Sequence, residues 1–163
     1  MGYIFDLDQT IVDSSIAEEY RKQRNWTTVY SMVPRFRVYE GINEVLGILR
    51  KKGEKVCVVT SSPEKYCRAV LKEFGIQAYA TVCYHDTKHH KPSPEPILRA
   101  VEILRENPED VVSIGDAEND IIASRKAGVI SCLALWGRQS DRMEVGADYI
   151  FRTVHDLREY VSK

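Results

Sequence analysis

The sequence has no long hydrophobic run, no closely paired cysteines and no excess of one charge. Its apolar runs are far shorter than the roughly 18 residues that a membrane-spanning helix needs, so we expect no membrane partner. No basic segment precedes the first apolar run, which argues against a secretory signal. The net charge of −1 argues against a general nucleic-acid binder, because such domains are usually strongly basic. We therefore expect a cytoplasmic protein.

Cysteine and histidine do not form a recognisable metal pattern. The four cysteines are scattered, with no C-x-x-C pair: Cys57, Cys67, Cys83 and Cys132. Three of them lie in apolar runs, where a reduced thiol behaves as a small hydrophobic side chain. His85, His89 and His90 follow Cys83, but no second group of ligands with zinc spacing accompanies them. We interpret the cysteines as buried thiols and the histidines as loop residues.

Short β-rich apolar runs alternate with helical patterns. The predicted strands cover residues 3–6, 55–60, 79–84, 111–115, 130–135 and 149–151. These runs are nearly continuous, which is typical of strands buried on both faces in a parallel sheet. Helical spacing predicts helices ending at or near Gly53, Gly75, Leu104 and Gly128, and Ser-Pro pairs at 62–63 and 93–94 predict two helix starts. The pattern and the length of 163 residues predict one doubly wound α/β domain.

Residues 14–40 interrupt this alternation. Ser14 or Ser15 is predicted to cap one helix that runs to about Asn25. The segment and its edges are rich in basic and aromatic residues: Arg21, Lys22, Arg24, Trp26, Tyr30, Arg35, Arg37 and Tyr39. These side chains either form a solvated face with a few core anchors or contact a polyanion. We interpret 14–40 as an insertion in a core made of 1–13 and 41–163.

The segment YIFDLDQTIVDS, residues 3–14, places two carboxylates directly after a buried strand. Burying a carboxylate is costly unless something compensates it. In an extended segment Asp6 and Asp8 would face one spot, which raises each pKa unless a cation sits between them. The simpler alternative is a surface turn with solvated aspartates, in which Thr10 starts a loop.

Polar residues also follow the other predicted strands. They are Thr60, Ser61, Lys91, Asp116 and Asp120. Taken singly, each suits a turn, a helix cap or a solvated surface. In open α/β sheets, however, ligands bind outside the carboxyl ends of the strands, so these side chains share one edge. Phosphoryl transfer needs such a set: a carboxylate nucleophile, a second carboxylate as acid and base, a hard cation, and positive charge on the phosphoryl oxygens.

Four motifs in this order resemble the haloacid dehalogenase (HAD) superfamily, and its phosphatase branch in particular. They are DLDQT at 6–10, VVTSS at 58–62, KPSPEP at 91–96 and GDAEND at 115–120. The stretch from Gly41 to about Tyr160 resembles a phosphoglycolate-phosphatase-type core. The resemblance implies a Rossmann-like core of HAD type with a reduced cap.

The resemblance also implies roles for the motif residues. Asp6 would be the nucleophile and a Mg2+ ligand, and Asp8 the general acid and base that also binds the metal through its backbone carbonyl. Asp116 would complete the metal shell, and Asp120 would support that shell or orient Lys91.

Three further residues are assigned by the same resemblance. Thr60 would bind the phosphoryl group with help from the amide of Ser61, Lys91 would stabilise its charge, and Thr10 would brace the loop. Gln9 departs from the family pattern, which most often has glycine there, so it bears on substrate preference.

We therefore predict a Mg2+-dependent phosphomonoester hydrolase that forms an aspartyl-phosphate on Asp6. A phosphomutase shares all these residues but needs a cap that closes over the site. A receiver-type phospho-acceptor and a dehalogenase fit less well, because Lys91 precedes Asp116 and because a dehalogenase needs no acid at Asp8. An insertion this short should leave the site open, which disfavours a mutase and the enclosure of a small molecule. It permits a large substrate such as a phosphorylated macromolecular end, or closure by a second copy in a homodimer. The expected partner is therefore a phosphorylated substrate, either a small molecule or a macromolecular end.

Overall fold

In the computed structural model, which describes residues 1–137 and 146–163, a six-stranded sheet forms the centre of the protein. Its strands are β1 (Gly2–Phe5), β4 (Lys55–Val59), β5 (Ala80–Val82), β6 (Val111–Gly115), β7 (Ile130–Ala134) and β8 (Tyr149–Phe151). Their order is β5-β4-β1-β6-β7-β8, and every neighbouring pair is parallel. The predicted doubly wound α/β sheet is confirmed, and its strands end within two residues of the predicted positions.

In the described part of the chain, five helices flank the sheet: α3 (Ile42–Lys51), α4 (Glu64–Glu73), α5 (Glu95–Leu104), α6 (Glu118–Ala127) and α7 (Val154–Ser162). The predicted Ser-Pro starts are displaced by one residue, because Pro63 and Pro94 are themselves the N-caps of α4 and α5. Helix α6 ends at Gly128, whose φ of 76° requires the left-handed conformation that glycine adopts readily. The predicted core range of 41–163 includes 138–145, which lie outside the described residues.

Two apolar layers enclose the sheet. Tyr3 and Phe5 of β1 belong to the layer that contains α3, α4 and α7, whereas Ile4 belongs to the layer that contains α5 and α6. This alternation follows from the two-residue period of a strand. All four cysteines are buried free thiols, as predicted. Among the described residues, no helix is long and apolar enough to cross a membrane.

The segment after β1 forms two short helices, so the prediction of one helix to Asn25 is wrong. A 3-10 turn (Ser15–Ala17) leads into α1 (Glu18–Lys22), and α2 (Trp26–Met32) follows after Arg24, whose φ is 56°. This left-handed residue ends the first helix, and the Asn25 side chain caps the second by accepting from Thr28 N. Strands β2 (Val12–Asp13) and β3 (Arg37–Val38) pair antiparallel at the base of the segment.

Candidate active site

Three predicted site residues lie at the carboxyl ends of neighbouring strands. Asp6 follows β1, Thr60 follows β4 and Asp116 follows β6. Strand β1 lies between the other two, with Phe5 opposite Val58 on one side and Ile114 on the other. Parallel pairing brings all three ends to one edge, where Asp6 N donates to the Ile114 carbonyl at 2.9 Å. The sheet itself therefore holds the reacting edge together.

Lys91 connects this edge to the first turn of α6. Its Nζ donates to Asp6 Oδ1 at 3.0 Å, to Asp120 Oδ1 at 2.6 Å and to the Val59 carbonyl at 3.0 Å. The side chain is only 7% exposed, so this ammonium group exchanges water for three protein oxygens. Burial tends to lower the pKa of Lys91, but Asp120 and Asp6 outweigh it and hold that pKa above its ordinary value. Lys91 is therefore a fixed positive charge.

Asp6, Asp116 and Asp120 form an acidic cluster in which one oxygen from each lies within 4.8 Å of the others. The pKa of Asp6 lies well above its usual range because the carboxyl is buried and because Asp120, Asp116 and Asp8 are nearby, although Lys91 opposes the shift. Three carboxylates that each offer an oxygen ligand suit a hard divalent cation.

The close approach of Asp120 to β6 requires glycine at position 115. A Cβ atom on Gly115 would lie 2.5 Å from the Asp120 side chain, a distance that side chains do not tolerate. Asp120 Oδ2 also accepts from Ala117 N at 3.0 Å, which fixes the carboxylate against the start of α6. The GDAEND motif thus supplies Asp120 and also supplies Gly115, whose lack of a side chain leaves room for the Asp120 carboxylate.

Asp8 has hydrogen-bond partners that differ from those of Asp6. Its Oδ1 accepts from Ser14 Oγ and Tyr66 Oη, both at 2.6 Å, and its Oδ2 pairs with Arg21 Nη1 at 3.0 Å. The chain bends at Leu7, between the two aspartates, and Asp8 forms an isolated bridge with Val12. Asp8 still borders the same cavity as Asp6.

The loop after Asp8 is held from both sides. Gln9 has a φ of 61°, the left-handed conformation that favours glycine, and its Oε1 accepts from Ser14 N at 2.9 Å. Thr10 is fully buried and its carbonyl accepts from Trp136 Nε1 at 3.0 Å, while its hydroxyl has no hydrogen-bond partner in the described part of the chain. Thr10 is therefore buried within the loop, and its role in bracing that loop stays a prediction.

A cavity of about 500 Å3 opens over these residues. Thr60 and Ser61 line it, and Thr60 Oγ1 accepts from Ser62 N at 3.1 Å. Lys91, Asp116 and Asp120 line the same cavity, together with residues of α1 and the turn after it. The structure thus brings every predicted site residue except Thr10 to one cavity.

Sequence reasoning missed the residues that hold Asp8. Tyr66 is buried in α4, with its ring 5.6 Å from that of Trp26, and burial and the charge of Asp8 raise the pKa of its hydroxyl. Ser14 was assigned only a capping role, and Arg21 was assigned only to a basic segment. The helical spacing of Tyr66 with Val70 signals burial but does not reveal that its hydroxyl meets a carboxylate.

Comparison with known proteins gives a consistent picture. The chain is 32% identical over 138 residues to a phosphoglycolate phosphatase from Aquifex aeolicus, covering 83% of this chain and 65% of that protein. It is 30% identical over 128 residues to the pyrophosphatase PpaX from Halalkalibacterium halodurans, covering 76% of this chain and 59% of that protein. The chain therefore spans less than two-thirds of the length of these curated relatives.

Solved structures share the fold. A β-phosphoglucomutase candidate from Thermotoga maritima superposes with a TM-score of 0.85 at 17% identity, covering 99% of this chain and 98% of that one. At this identity the likeness concerns the fold alone. The family model for haloacid dehalogenase-like hydrolases matches residues 15–134. The resemblance seen in the four sequence motifs is thereby confirmed, and the chain belongs to the haloacid dehalogenase-like hydrolase family.

Proposed function

We propose that this protein is a Mg2+-dependent phosphomonoester hydrolase that works through an aspartyl-phosphate on Asp6. The observation that carries the proposal is the contact of Lys91 with both Asp6 and Asp120 beside Asp116, at the carboxyl edge of the sheet. A carboxylate nucleophile next to a fixed cation and an acidic cluster is the arrangement that phosphoryl transfer requires. The relatives named phosphoglycolate phosphatase and pyrophosphatase support the same reaction class.

Asp6, Asp116 and the backbone carbonyl of Asp8 would hold the Mg2+ ion, with Asp120 supporting them. The bound ion would supply positive charge that reduces the repulsion between the carboxylates and the phosphoryl group. The raised pKa of Asp6 is consistent with this assignment, because a cation would relieve the crowding of negative charge that causes it.

Different residues of the chain carry out the successive steps of the proposed reaction. A carboxylate oxygen of Asp6 attacks phosphorus, the bond from phosphorus to the leaving oxygen breaks, and Asp8 gives that oxygen a proton. Water next attacks the phosphorus of the aspartyl-phosphate and passes a proton to Asp8. The bond from phosphorus to the Asp6 oxygen breaks, so phosphate is released and the Asp6 carboxylate is regenerated. Lys91, the Thr60 hydroxyl and the Ser61 amide would hold the phosphoryl oxygens throughout.

We also propose that residues 14–40 act as a reduced cap on a core formed by 1–13 and 41–163. Residues from α1 to Trp26 line the cavity, which supports this division. The volume of about 500 Å3 suits a small phosphorylated molecule. Two further possibilities stay predictions: that the site binds a phosphorylated macromolecular end, and that a second copy in a homodimer closes over it.

The test is phosphate release from p-nitrophenyl phosphate by the wild type and by Asp6→Asn. We expect turnover that needs Mg2+ and disappears in Asp6→Asn, because the amide is a poor nucleophile. Rapid quenching of the wild type with labelled substrate should trap the label on Asp6. An Asp6→Asn variant with full activity would exclude this mechanism.

The phosphomutase alternative is favoured by the fold shared with the β-phosphoglucomutase candidate. It differs only in the group that accepts the phosphoryl, which is a substrate hydroxyl instead of water. Turnover in 18O-labelled water separates the two, because a hydrolase places one 18O in each released phosphate. A stably phosphorylated Asp6 without turnover would instead indicate a phospho-acceptor signalling module.

A further inference from the structure

Lys91 reaches the cavity from a loop and not from the end of a strand. Strand β5 ends at Val82, and a 3-10 turn (Tyr84–Asp86) and a further stretch of loop separate it from Lys91. Parallel pairing therefore does not place this lysine, as it places Asp6 and Asp116. A lysine side chain has many rotamers, so a fixed position for its ammonium group requires a fixed backbone. The contacts that hold this loop thus determine where the charge of Lys91 lies.

His90 attaches the end of this loop to its beginning. The His90 ring stacks on the Tyr84 ring, with 4.0 Å between the ring centroids and 17° between the planes. His90 Nε2 lies 2.7 Å from the Tyr84 carbonyl oxygen, and because a carbonyl oxygen only accepts, Nε2 carries a proton and donates the hydrogen bond. The His90 carbonyl accepts from Ser93 N at 2.8 Å. The residue before Lys91 is therefore held through its ring and through its backbone.

Tyr84 connects this loop to the proposed phosphoryl-binding loop after β4. Its N donates to the Ser62 carbonyl at 3.0 Å, and both residues line the cavity. Ser62 belongs to the same VVTSS motif as Thr60. Contacts through Tyr84 thus join the loop of Thr60 to the loop of Lys91, and the two groups proposed to hold the phosphoryl oxygens share one support.

Glu95, the first residue of α5, holds the other side of the loop. Its Oε1 accepts from Lys88 N at 2.8 Å, and its Oε2 accepts from His89 N at 2.9 Å. His89 Nδ1 also lies 2.8 Å from Oε2. The hydrogen bonds from Lys88 and His89 hold the pKa of Glu95 below its ordinary value, so the ionised carboxylate is the form that binds the loop. The two residues that precede His90 are therefore attached to α5.

We propose that His90 and Glu95 are positioning residues for Lys91. His90 attaches the loop to Tyr84, and Glu95 attaches it to α5. Together they fix the point at which the Lys91 ammonium group meets the phosphoryl group. The described lining of the cavity includes neither residue, so both act on the reaction through Lys91. The inference rests on the proposed function, because it takes Lys91 as a ligand of the phosphoryl group.

The test separates the two contacts that His90 makes with Tyr84. His90→Phe keeps a ring that stacks on Tyr84 and loses the hydrogen bond, whereas His90→Ala loses both contacts. We expect kcat/KM for p-nitrophenyl phosphate to fall roughly threefold to tenfold in His90→Phe, the equivalent of one hydrogen bond. In His90→Ala it should fall roughly 10- to 100-fold, because the stacking contact is lost as well. His155→Ala, which removes an exposed histidine from α7, is the matched control and should stay within about twofold of the wild type.

Phosphate binding gives a readout that needs no turnover. Inorganic phosphate is titrated calorimetrically into the protein in the presence of Mg2+, and its affinity should fall at least about threefold in His90→Ala. The same substitution in a Lys91→Met background should cause no further loss, because a residue that acts through Lys91 then has nothing left to position. A purely structural residue would instead lower the free energy of unfolding and leave the phosphate affinity of the folded protein unchanged.

Glu95→Gln tests the attachment to α5. An amide accepts through one oxygen only, so either the Lys88 or the His89 contact is lost, and kcat/KM should fall roughly fivefold. Glu102→Gln is the matched control, because Glu102 is an exposed acid of the same helix and pairs with Arg99 at 2.7 Å. This control should leave kcat/KM within about twofold of the wild type.

Three outcomes would overturn the positioning role. They are full activity of His90→Ala, lower stability of His90→Ala with unchanged phosphate affinity, and equal losses of phosphate affinity with and without Lys91. In each case turnover by the wild type and its loss in Asp6→Asn would persist, so the proposed function would stand. Phosphate binding that depends on His90 and Lys91, without phosphate release from any substrate, would instead remove the proposed function and leave the positioning role intact.

Discussion

Asp6 and Asp8 are two residues apart, yet their carboxylates have opposite surroundings. Asp6 lies in an acidic cluster with Asp116 and Asp120, and Lys91 pairs with Asp6 and Asp120. Within residues 1–137 and 146–163, Asp8 accepts from two hydroxyls and a guanidinium, and none of these partners is an acid. The first aspartate thus lies among other carboxylates, whereas the second is surrounded by hydrogen-bond donors.

The site therefore has two halves, the first around Asp6 and the second around Asp8, and their residues come from different parts of the chain. The neighbours of Asp6 come from strand ends that parallel pairing holds in place, from the loop between β5 and α5, which supplies Lys91, and from the first turn of α6. The partners of Asp8 come from α1, from the loop before it and from α4. We therefore expect changes near Asp6 to affect chemistry and charge balance, and changes near Asp8 to affect proton transfer and selectivity.

The largest effect should come from removing the cation of the first half with Lys91→Met. Lys91 is proposed to bind the phosphoryl group and also pairs with the two carboxylates, and the substitution removes both interactions. We therefore expect kcat to fall roughly 100- to 1,000-fold. Without Mg2+, unpaired Asp6 and Asp120 should cost the protein about 3–5 kcal/mol in free energy of unfolding. Steady-state kinetics and urea denaturation with and without Mg2+ measure the two effects.

Lys88→Met is the control for this change. Lys88 is an exposed lysine of the same loop, and its loss should change stability by less than about 0.5 kcal/mol. Activity of Lys91→Met within threefold of the wild type would mean that Asp6 does not depend on this cation, and the contrast between the two aspartates would fail.

The partners of Asp6 could be predicted from the sequence, whereas those of Asp8 could not. Strand ends can be located from apolar runs, and parallel topology then brings Thr60, Lys91 and Asp116 together without knowledge of side-chain packing. Tyr66 and Arg21 meet Asp8 only because α4 and α1 pack beside the loop. Such contacts depend on tertiary geometry that no local spacing encodes.

Two features of the fold differ from the prediction, and they differ for separate reasons. Arg24 looks helical by composition, yet it adopts a left-handed conformation that separates α1 from α2. Helix α7 (Val154–Ser162) was not predicted, although Thr153 and Asp156 form a capping box at its start. The start of this helix can therefore be read from the sequence alone.

A smaller effect should come from the second half with Tyr66→Phe. The ring keeps its contacts with Trp26 and Phe36, and only the 2.6 Å hydrogen bond to Asp8 is lost. A hydrogen bond to a charged group contributes about 1.5 kcal/mol or more, so kcat should fall roughly tenfold while Mg2+ affinity stays unchanged. Tyr30→Phe, which keeps a ring 6.3 Å from Trp26 in the same aromatic group, is the control. A loss of Mg2+ affinity in Tyr66→Phe would contradict the contrast, because the Asp8 side chain would then contribute to metal binding together with Asp6.

The smallest effect should come from Gln9→Gly, in the turn that separates the two aspartates. Glycine relieves a left-handed conformation that costs other residues about 1 kcal/mol. It also removes the hydrogen bond from Ser14 N to the Gln9 side chain, worth about 1 kcal/mol. The free energy of unfolding should therefore change by less than about 0.5 kcal/mol, and kcat should stay within about threefold of the wild type.

Arg105→Gly separates these two contributions. Arg105 ends α5 with a φ of 59°, so glycine there relieves the same conformation without removing the Ser14 contact. This variant should gain about 1 kcal/mol, and its difference from Gln9→Gly measures the Gln9 hydrogen bond. If Gln9→Gly instead reduces kcat as much as Tyr66→Phe does, the Gln9 amide orients Asp8 through Ser14. Glutamine would then stand at this turn because the second aspartate needs it, despite the strain.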